Sequence, residues 1–509
     1  MADSRTKNSA KNAIINIVSR ICSILCSFVI RTIFLRYLGE QYTGVSTLFT
    51  DILNILSFTE LGIGTAISFA FYKPVATDDK KRIAELMHLC KYIYTAIALA
   101  ILIIGILLVP ALGVFVKDVP DIKENITYIY ILYVIKTAAS YLLIYKSTLL
   151  IAKQKQFLVT GVESICTVVK TGIDIIILVT TRNFLLYLYL EIARVVISNI
   201  IISRFSDREL KNNEYYKNVK IKLADFKGLF SNVKDVFIYK VNGIILTSTD
   251  SLVISTIINT SAVAYMSNYN LIFNAVNNIA YQAVSAVTAS VGNLAVLKTN
   301  KEQKNVFYTL NFICFMFTCV ATVGLWLCVN PFIELIWGSK YVLSESIVLL
   351  LCINLFIINM HMIVDMFRTA NGIFREGRMR PLATAIINLV VSIIAAKYMG
   401  LQGVLLGTVV ARASTQLWYD SKLVFNLVFK SSVKGYYLKY ALYGAIVFLY
   451  CIIGSLLPHS IQQPIFKFAI GFIFAVILVT GMNILLFGKT DSFKNAMQYV
   501  RLIFKRRSS

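Results

Sequence analysis

The chain has 509 residues, of which 57% are hydrophobic and only 15% charged, and its formal net charge is +24. A soluble domain is about 45–50% apolar and about 25% charged, so this composition excludes a water-soluble globular protein. The basic excess lies in short segments between apolar runs, where the bias of cytoplasmic loops toward Lys and Arg explains it without nucleic acid.

Taken in chain order, the apolar runs predict an all-α, polytopic membrane protein of about 14 transmembrane helices, because roughly 20 apolar residues cross a bilayer. The expected spans are 12–38, 43–72, 86–112, 126–150, 158–180, 184–204, 235–257, 262–297, 306–330, 345–370, 381–399, 402–428, 436–457 and 465–488. The first run follows Arg5, Lys7 and Lys11, contains Arg20 and lacks an A-x-A site, so it reads as a retained helix rather than a signal peptide.

Alternate loops carry the positive charge. One set holds Lys80, Lys81 and Arg82, then Lys153 and Lys155, a basic stretch from Arg204 to Lys227, Lys298 to Lys304, Arg375 to Arg380, and Lys430 with Lys434. The other set is nearly bare, as in "GEQYTG" (39–44) and "NTSA" (259–262). The asymmetry places both termini in the cytoplasm of a multi-pass cell-membrane protein.

The polar segment 205–234 divides the chain, and the two halves repeat one architecture: the turn at 39–42 has its counterpart at 260–263, and the loops after Lys80 and after Lys301 correspond. The expected organisation is an N-terminal lobe (1–204), a basic cytoplasmic linker (205–234), a C-terminal lobe (235–428), and two further helices with a basic tail (429–509). Two six-helix bundles would flank a central cleft.

Charges inside a bilayer are costly and face a cavity or a partner. Span one carries Asn16, Arg20, Ser23, Ser27 and Arg31 on one face, and span two carries Thr43, Thr47, Thr50, Asn54 and Ser57 with Asp51 and Glu60 nearby. Span eight shows Asn270, Asn274, Asn277, Tyr281, Ser285 and Thr288, and span seven adds Lys240, Thr247 and Asp250. Such stripes also serve interhelical hydrogen bonding. The cavity reading is preferred because they fall on the first helices of both lobes, where a cleft would open.

Lys170 and Asp174 are spaced to pair at i,i+4, as a structural ladder with Glu163. Asp365 and Arg368 form an i,i+3 pair, either a salt bridge or a gate. Lys136 and Arg412 have no evident local partner, and Arg36 and Lys146 lie where a side chain snorkels to headgroups. The remainder, Arg20, Arg31, Lys136, Lys240 and Arg412, is cationic, and a wet cleft lined this way attracts phosphate or pyrophosphate.

Other chemistry is not indicated. The nine Cys are scattered in apolar runs, the three His are far apart, and no Walker A, G-x-S-x-G or H-E-x-x-H motif occurs, so neither catalysis, a metal nor a cofactor is expected. "GVLLG" (403–407) reads as a small-xxx-small packing motif.

Residues 11–67 resemble the first hairpin of the Wzx-type polysaccharide-transport flippases. The shared features are an Arg-containing first helix, a turn at Leu38, Gly39 and Gly44, then Leu48-Phe49, Ile55-Leu56 and "ELGIG" from Glu60 to Gly64. The 14-span, two-lobe layout fits the same superfamily, which also holds multidrug-extrusion proteins and the lipid II flippase. The resemblance implies transfer of undecaprenyl-pyrophosphate-linked oligosaccharide repeat units to the outer leaflet by alternating access, through a cationic cavity and coupled to an ion gradient. It carries the helix-one arginine onto Arg20 or Arg31.

On this reading Arg20, Arg31 and Lys240, with Lys136 and Arg412, hold pyrophosphate, and Asn270, Asn274, Asn277 and Gln282 bond sugar hydroxyls. Asp51, Glu60 and Asp250 are coupling candidates, with Asp365 and Arg368 as gating candidates. The expected partners are the polyprenyl-linked glycan, H+ or Na+, the lipid bilayer, and a polysaccharide polymerase with its assembly proteins, but no nucleic acid. The runner-up is a multidrug or cation antiporter of the same superfamily, and the third reading is a membrane enzyme of glycan assembly.

Overall fold

The computed structural model describes residues 2–57, 63–117, 120–210, 214–217, 248–373, 376–377, 379–456 and 463–505. Among them the secondary structure is helical, with no strand. In chain order the main helices are α1 (Ala2–Tyr37), α2 (Gly39–Leu56), α3 (Ile63–Ala76), α4 (Lys80–Leu107), α5 (Ile126–Tyr141) and α6 (Tyr145–Ala152). Then come α7 (Gln156–Thr180), α8 (Phe184–Leu210), α9 (residues 248–257), α10 (Thr260–Leu297), α11 (Asn300–Trp337) and α12 (Glu345–Ala370). The last are α13 (Arg380–Met399), α14 (residues 401–427), α15 (Lys434–Leu456), α16 (residues 464–487) and α17 (Asp491–Lys505).

The expected spans have helical counterparts among the described residues, 235–257 only from residue 248 because 235–247 lie outside them, and nine of the helical stretches are long and apolar enough by themselves to cross a membrane. The chain is therefore a multi-pass membrane protein. Expected span 43–72 is occupied by two helices, α2 and α3, since α2 ends at Leu56 with a cap at Ser57. Helices also run past their apolar runs into basic segments: α4 begins at Lys80 where Asp79 accepts a hydrogen bond from the Arg82 backbone amide at 2.9 Å. At the start of α11, Thr299 and Glu302 form a reciprocal capping box, which offsets amides the helix leaves unpaired. Apolarity marks the membrane-buried part of a helix, whereas capping marks its end.

The chain divides into two compact units, Met1–Ala264 and Tyr265–Ser509. In the first, α1 packs along α7, α7 along α8, and α5 against α4 and α8. Its core holds Phe34, Leu48, Phe49, Tyr130 and Phe184 in one cluster and Phe71, Met87, Tyr94 and Leu149 in another. Gly44 of α2 lies against the first turn of α10: a Cβ there would stand 2.2 Å from the Thr260 carbonyl oxygen.

In the second unit α11 is the central helix, with α12, α15, α16 and α17 packed on it, while α13 and α14 form a tight hairpin. The hairpin turns at Gly400, whose φ of 58° lies in the left-handed region that glycine enters without strain. A Cβ at Gly403 would meet the Ala395 backbone at 2.3 Å and one at Gly407 would meet Ser392 Oγ at 2.2 Å, so the expected small-residue motif does hold two backbones together. The α14 helix widens into a π-helical turn at Ala413–Asp420, a feature frequent at functional sites. Many leucines, isoleucines and valines on the outer faces of both units are exposed, as lipid contact requires.

Candidate functional site

The densest group of intramembrane charges lies in the first unit, where α1, α5, α7 and α8 meet. Helical spacing delivers it: Lys170 and Asp174 are one turn apart on α7, and Tyr187, Glu191 and Arg194 share a face of α8. Lys170 Nζ is 2.5 Å from Asp174 Oδ2 and 2.5 Å from Glu191 Oε1, and it stands 4.1 Å from the centre of the Tyr187 ring. Glu191 Oε2 also faces Arg194 at 3.6 Å. Asp174 is fully buried, and Lys170 nearly so.

Around this ion cluster lie two of the expected cations. Lys136 of α5 sits 4.9 Å over the Tyr133 ring and within electrostatic range of Glu191. Arg31 of α1 interacts electrostatically with Tyr187 and Tyr133, and Tyr133 in turn hydrogen-bonds Ser46 of α2. The pairing expected for Lys170 and Asp174 is present. Glu163 acts on Arg194. Sequence reasoning missed Glu191 and Arg194, although both were visible as charges inside the apolar run 184–204.

The expectation that Arg31 and Arg412 stand alone does not hold, because each has an interaction partner in the fold. Arg20 is exposed on α1, next to the buried Ser19. Asp51 of α2 accepts hydrogen bonds from Asn54 and from Ser251 of α9, which adjoins Asp250, so two coupling candidates occupy neighbouring helices. Asp250 itself is half-buried and engaged. Lys240 and Glu60 lie outside the described residues.

The hydroxyl stripe of α2 has a local use. Thr43, Thr47, Thr50 and Ser57 each donate to the carbonyl one turn back, at 3.0, 2.9, 2.7 and 3.0 Å. Ser27 does the same to Ser23 at 2.8 Å. These donors are committed to their own helix, and only the lone pairs of the oxygens face outward.

In the second unit, Asn270 and Asn277 are half-buried on α10 while Asn274 and Gln282 are exposed, and Asn277 Oδ1 is buried with no hydrogen-bond partner among the described residues. A second charged group lies at α12, α13 and α14. Asp420, fully buried in the π-helical turn, receives Arg380 at 2.8 Å and His361 Nε2 at 3.1 Å on one carboxylate oxygen. One turn on, Arg368 contacts Asp365 at 2.5 Å and also donates to the Ile373 carbonyl at 3.4 Å. The expected Asp365–Arg368 pair is thus a salt bridge.

Ligand atoms of His361, Asp365 and Asp420 come within 4.8 Å of one another, a spacing compatible with a metal ion. Each carboxylate already faces a guanidinium, so a cation entering there would meet Arg380 and Arg368. Asp420, His361 and Arg380 lie on three helices, and sequence spacing does not link them.

No family model matches the chain, and no curated protein does. Solved structures do share its fold. The lipid II flippase MurJ, in an inward closed conformation, superposes with a TM-score of 0.65 at 17% identity, over 93% of this chain and 99% of that one. A multidrug resistance MATE family transporter of the MOP superfamily, inward-facing, gives 0.59 at 16% identity over 82% and 99%. A variant of the Vibrio cholerae MATE transporter VcmN gives 0.54 at 13% identity over 84% and 100%. The chain therefore has the helical fold common to MurJ and the MATE transporters.

Proposed function

We propose that the protein is a flippase that carries a polyprenyl-pyrophosphate-linked oligosaccharide from the cytoplasmic to the outer leaflet for surface polysaccharide assembly, by alternating access and coupled to an ion gradient. One observation carries the reading. The charged group of the first unit holds Arg31, Lys136, Lys170 and Arg194 against Glu163, Asp174 and Glu191, so cations exceed carboxylates. A site of that sign favours a pyrophosphate and disfavours a cationic drug. Arg31 and Lys136, which border this group from α1 and α5, are the proposed phosphate contacts, with Arg20 exposed nearer the start of α1.

The direction of transport agrees with the membrane potential, since an anion leaving an inside-negative cell gains about 2.3 kcal/mol per charge at ~100 mV. Asn270, Asn274, Asn277 and Gln282 supply the amide donors and acceptors that sugar hydroxyls need. Asp51 and Asp250 are the proposed coupling groups. The polyprenyl tail would remain in lipid.

Multidrug extrusion is the second reading, supported by the likeness to the MATE transporters. A deletion strain separates the two. Accumulation of lipid-linked oligosaccharide on the cytoplasmic leaflet, with drug tolerance unchanged, supports the flippase. Heightened drug sensitivity with normal surface glycan overturns it in favour of the extruder.

A further inference from the structure

We infer that the second unit carries a binding site for the headgroup of an anionic phospholipid, at the face that the loop charges assign to the cytoplasm. Two lysines stand over one aromatic cluster there, and a third over the neighbouring Trp418. Lys439 of α15 stands 4.2 Å over the Tyr308 ring of α11, and Lys304, one turn earlier on α11, stands 5.9 Å from the Phe425 ring of α14. Tyr308 and Phe425 are themselves in edge contact, with ring centres 6.2 Å apart. Lys422 lies 5.3 Å over the Trp418 ring, and Tyr437 Oη donates to the Trp418 carbonyl at 2.7 Å, which ties α14 to α15.

None of the three lysines has an ion pair among the described residues, in contrast to Lys146, Lys153 and Lys155 of the first unit, which meet Asp207 and Glu209. Three ammonium groups held on a rigid aromatic base without a carboxylate call for an anion from outside the chain.

The surroundings identify its class. Trp418 is 52% exposed and Leu438 75% exposed, so the lysines border a surface that faces acyl chains rather than the interior of the bundle. An anion placed there has an apolar tail beside it, as a phospholipid does, and the aromatic residues sit where interfacial tryptophan and tyrosine are favoured. A separate feature agrees. The C-terminal α17 packs Phe493 against Phe312 of α11, with ring centres 6.3 Å apart, and buries Ala496, while Lys494 projects outward. A helix that packs apolar residues against a span and leaves a lysine exposed suits a membrane surface, where each Lys near anionic lipid contributes about 1 kcal/mol in general.

The test uses the full chain in detergent with Trp326 and Trp337 replaced by Phe, which leaves Trp418 as the fluorophore. Brominated phosphatidylglycerol and brominated phosphatidylcholine are titrated separately. Preferential quenching by the anionic lipid is expected, with its apparent affinity falling about fivefold for each of K422Q and K439Q, while quenching by phosphatidylcholine is unchanged. Equal quenching by the two lipids overturns the inference, as does a preference that survives the double variant. Relief of quenching by millimolar inorganic phosphate would show a soluble anion as the ligand and overturn the lipid assignment. Native mass spectrometry of the unaltered chain against K422Q gives the same decision, through retained phosphatidylglycerol, should the tryptophan-depleted protein fail to fold.

Discussion

Lys170 on α7 and Glu191 on α8 meet at 2.5 Å inside the membrane-spanning part of the first unit, and the same ammonium group meets the fully buried Asp174 at 2.5 Å. One cation thus pairs with two carboxylates on two helices. Lys170→Met should leave both carboxylates without it and lower stability by about 3–5 kcal/mol. Replacing all three together with Met, Leu and Leu should restore most of the loss, because no buried charge is then stranded. Thermal unfolding of the detergent-purified chain measures both, and an unchanged midpoint for Lys170→Met would remove the clamp from the stability of the fold.

The π-helical turn of α14 gives a contrast within one cluster. Asp420 is fully buried and holds Arg380, whose side chain is 6% exposed, whereas the Asp365 side chain is 48% exposed. Asp420→Asn should destabilise by about 3–5 kcal/mol, since it strands a buried guanidinium. Asp365→Asn should cost less, because its carboxylate is half-exposed and Arg368, though buried, keeps its hydrogen bond to the Ile373 carbonyl. Chemical denaturation of the two variants side by side checks the ranking, and equal losses contradict it.

Arg31 and Arg20 test the transport reading. Arg31→Ala should reduce export of surface glycan by about tenfold, in proportion to the loss of a charge-assisted phosphate contact, and Arg20→Ala should reduce it less because its side chain is exposed. Immunoblotting of membranes controls for protein level. Normal export in the double variant would take both residues out of the mechanism.

Glycine tolerance should differ sharply between sites. Gly407→Ala drives a methyl to 2.2 Å from Ser392 Oγ and 2.6 Å from its backbone nitrogen, so α13 and α14 must separate, at about 1–3 kcal/mol. Gly161→Ala on α7 meets nothing within 4 Å and should be neutral or slightly stabilising. Expression and melting temperature of the two variants decide it.

The spans were readable because burial in lipid demands a run of apolar residues, a property of consecutive sequence. Pairs along one helix were readable too, since Lys170 and Asp174 or Asp365 and Arg368 follow the helical repeat. Glu191 with Lys170, and Asp420 with His361 and Arg380, were not, because each joins different helices and no spacing encodes it. The signal that remained was the charge itself, standing inside an apolar run. The α2 stripe shows the opposite case: a polar periodicity that suggested a cavity wall is partly consumed by bonds to the same helix.

The α13–α14 hairpin bears on biogenesis. Its two helices are joined at Gly400, its closest contacts, Gly403 to Ala395 and Gly407 to Ser392, link residues close in sequence, and Asn388 and Thr408 add a buried hydrogen bond at 3.0 Å. Contacts this local need little loop closure and nothing from later in the chain. During synthesis the pair can therefore zip together as soon as Asp420 has left the ribosome, before α15 to α17 exist, and enter the bilayer as one preassembled wedge. A methyl at Gly407 would then harm membrane insertion as well as the finished protein, and its first symptom would be degradation of nascent chains.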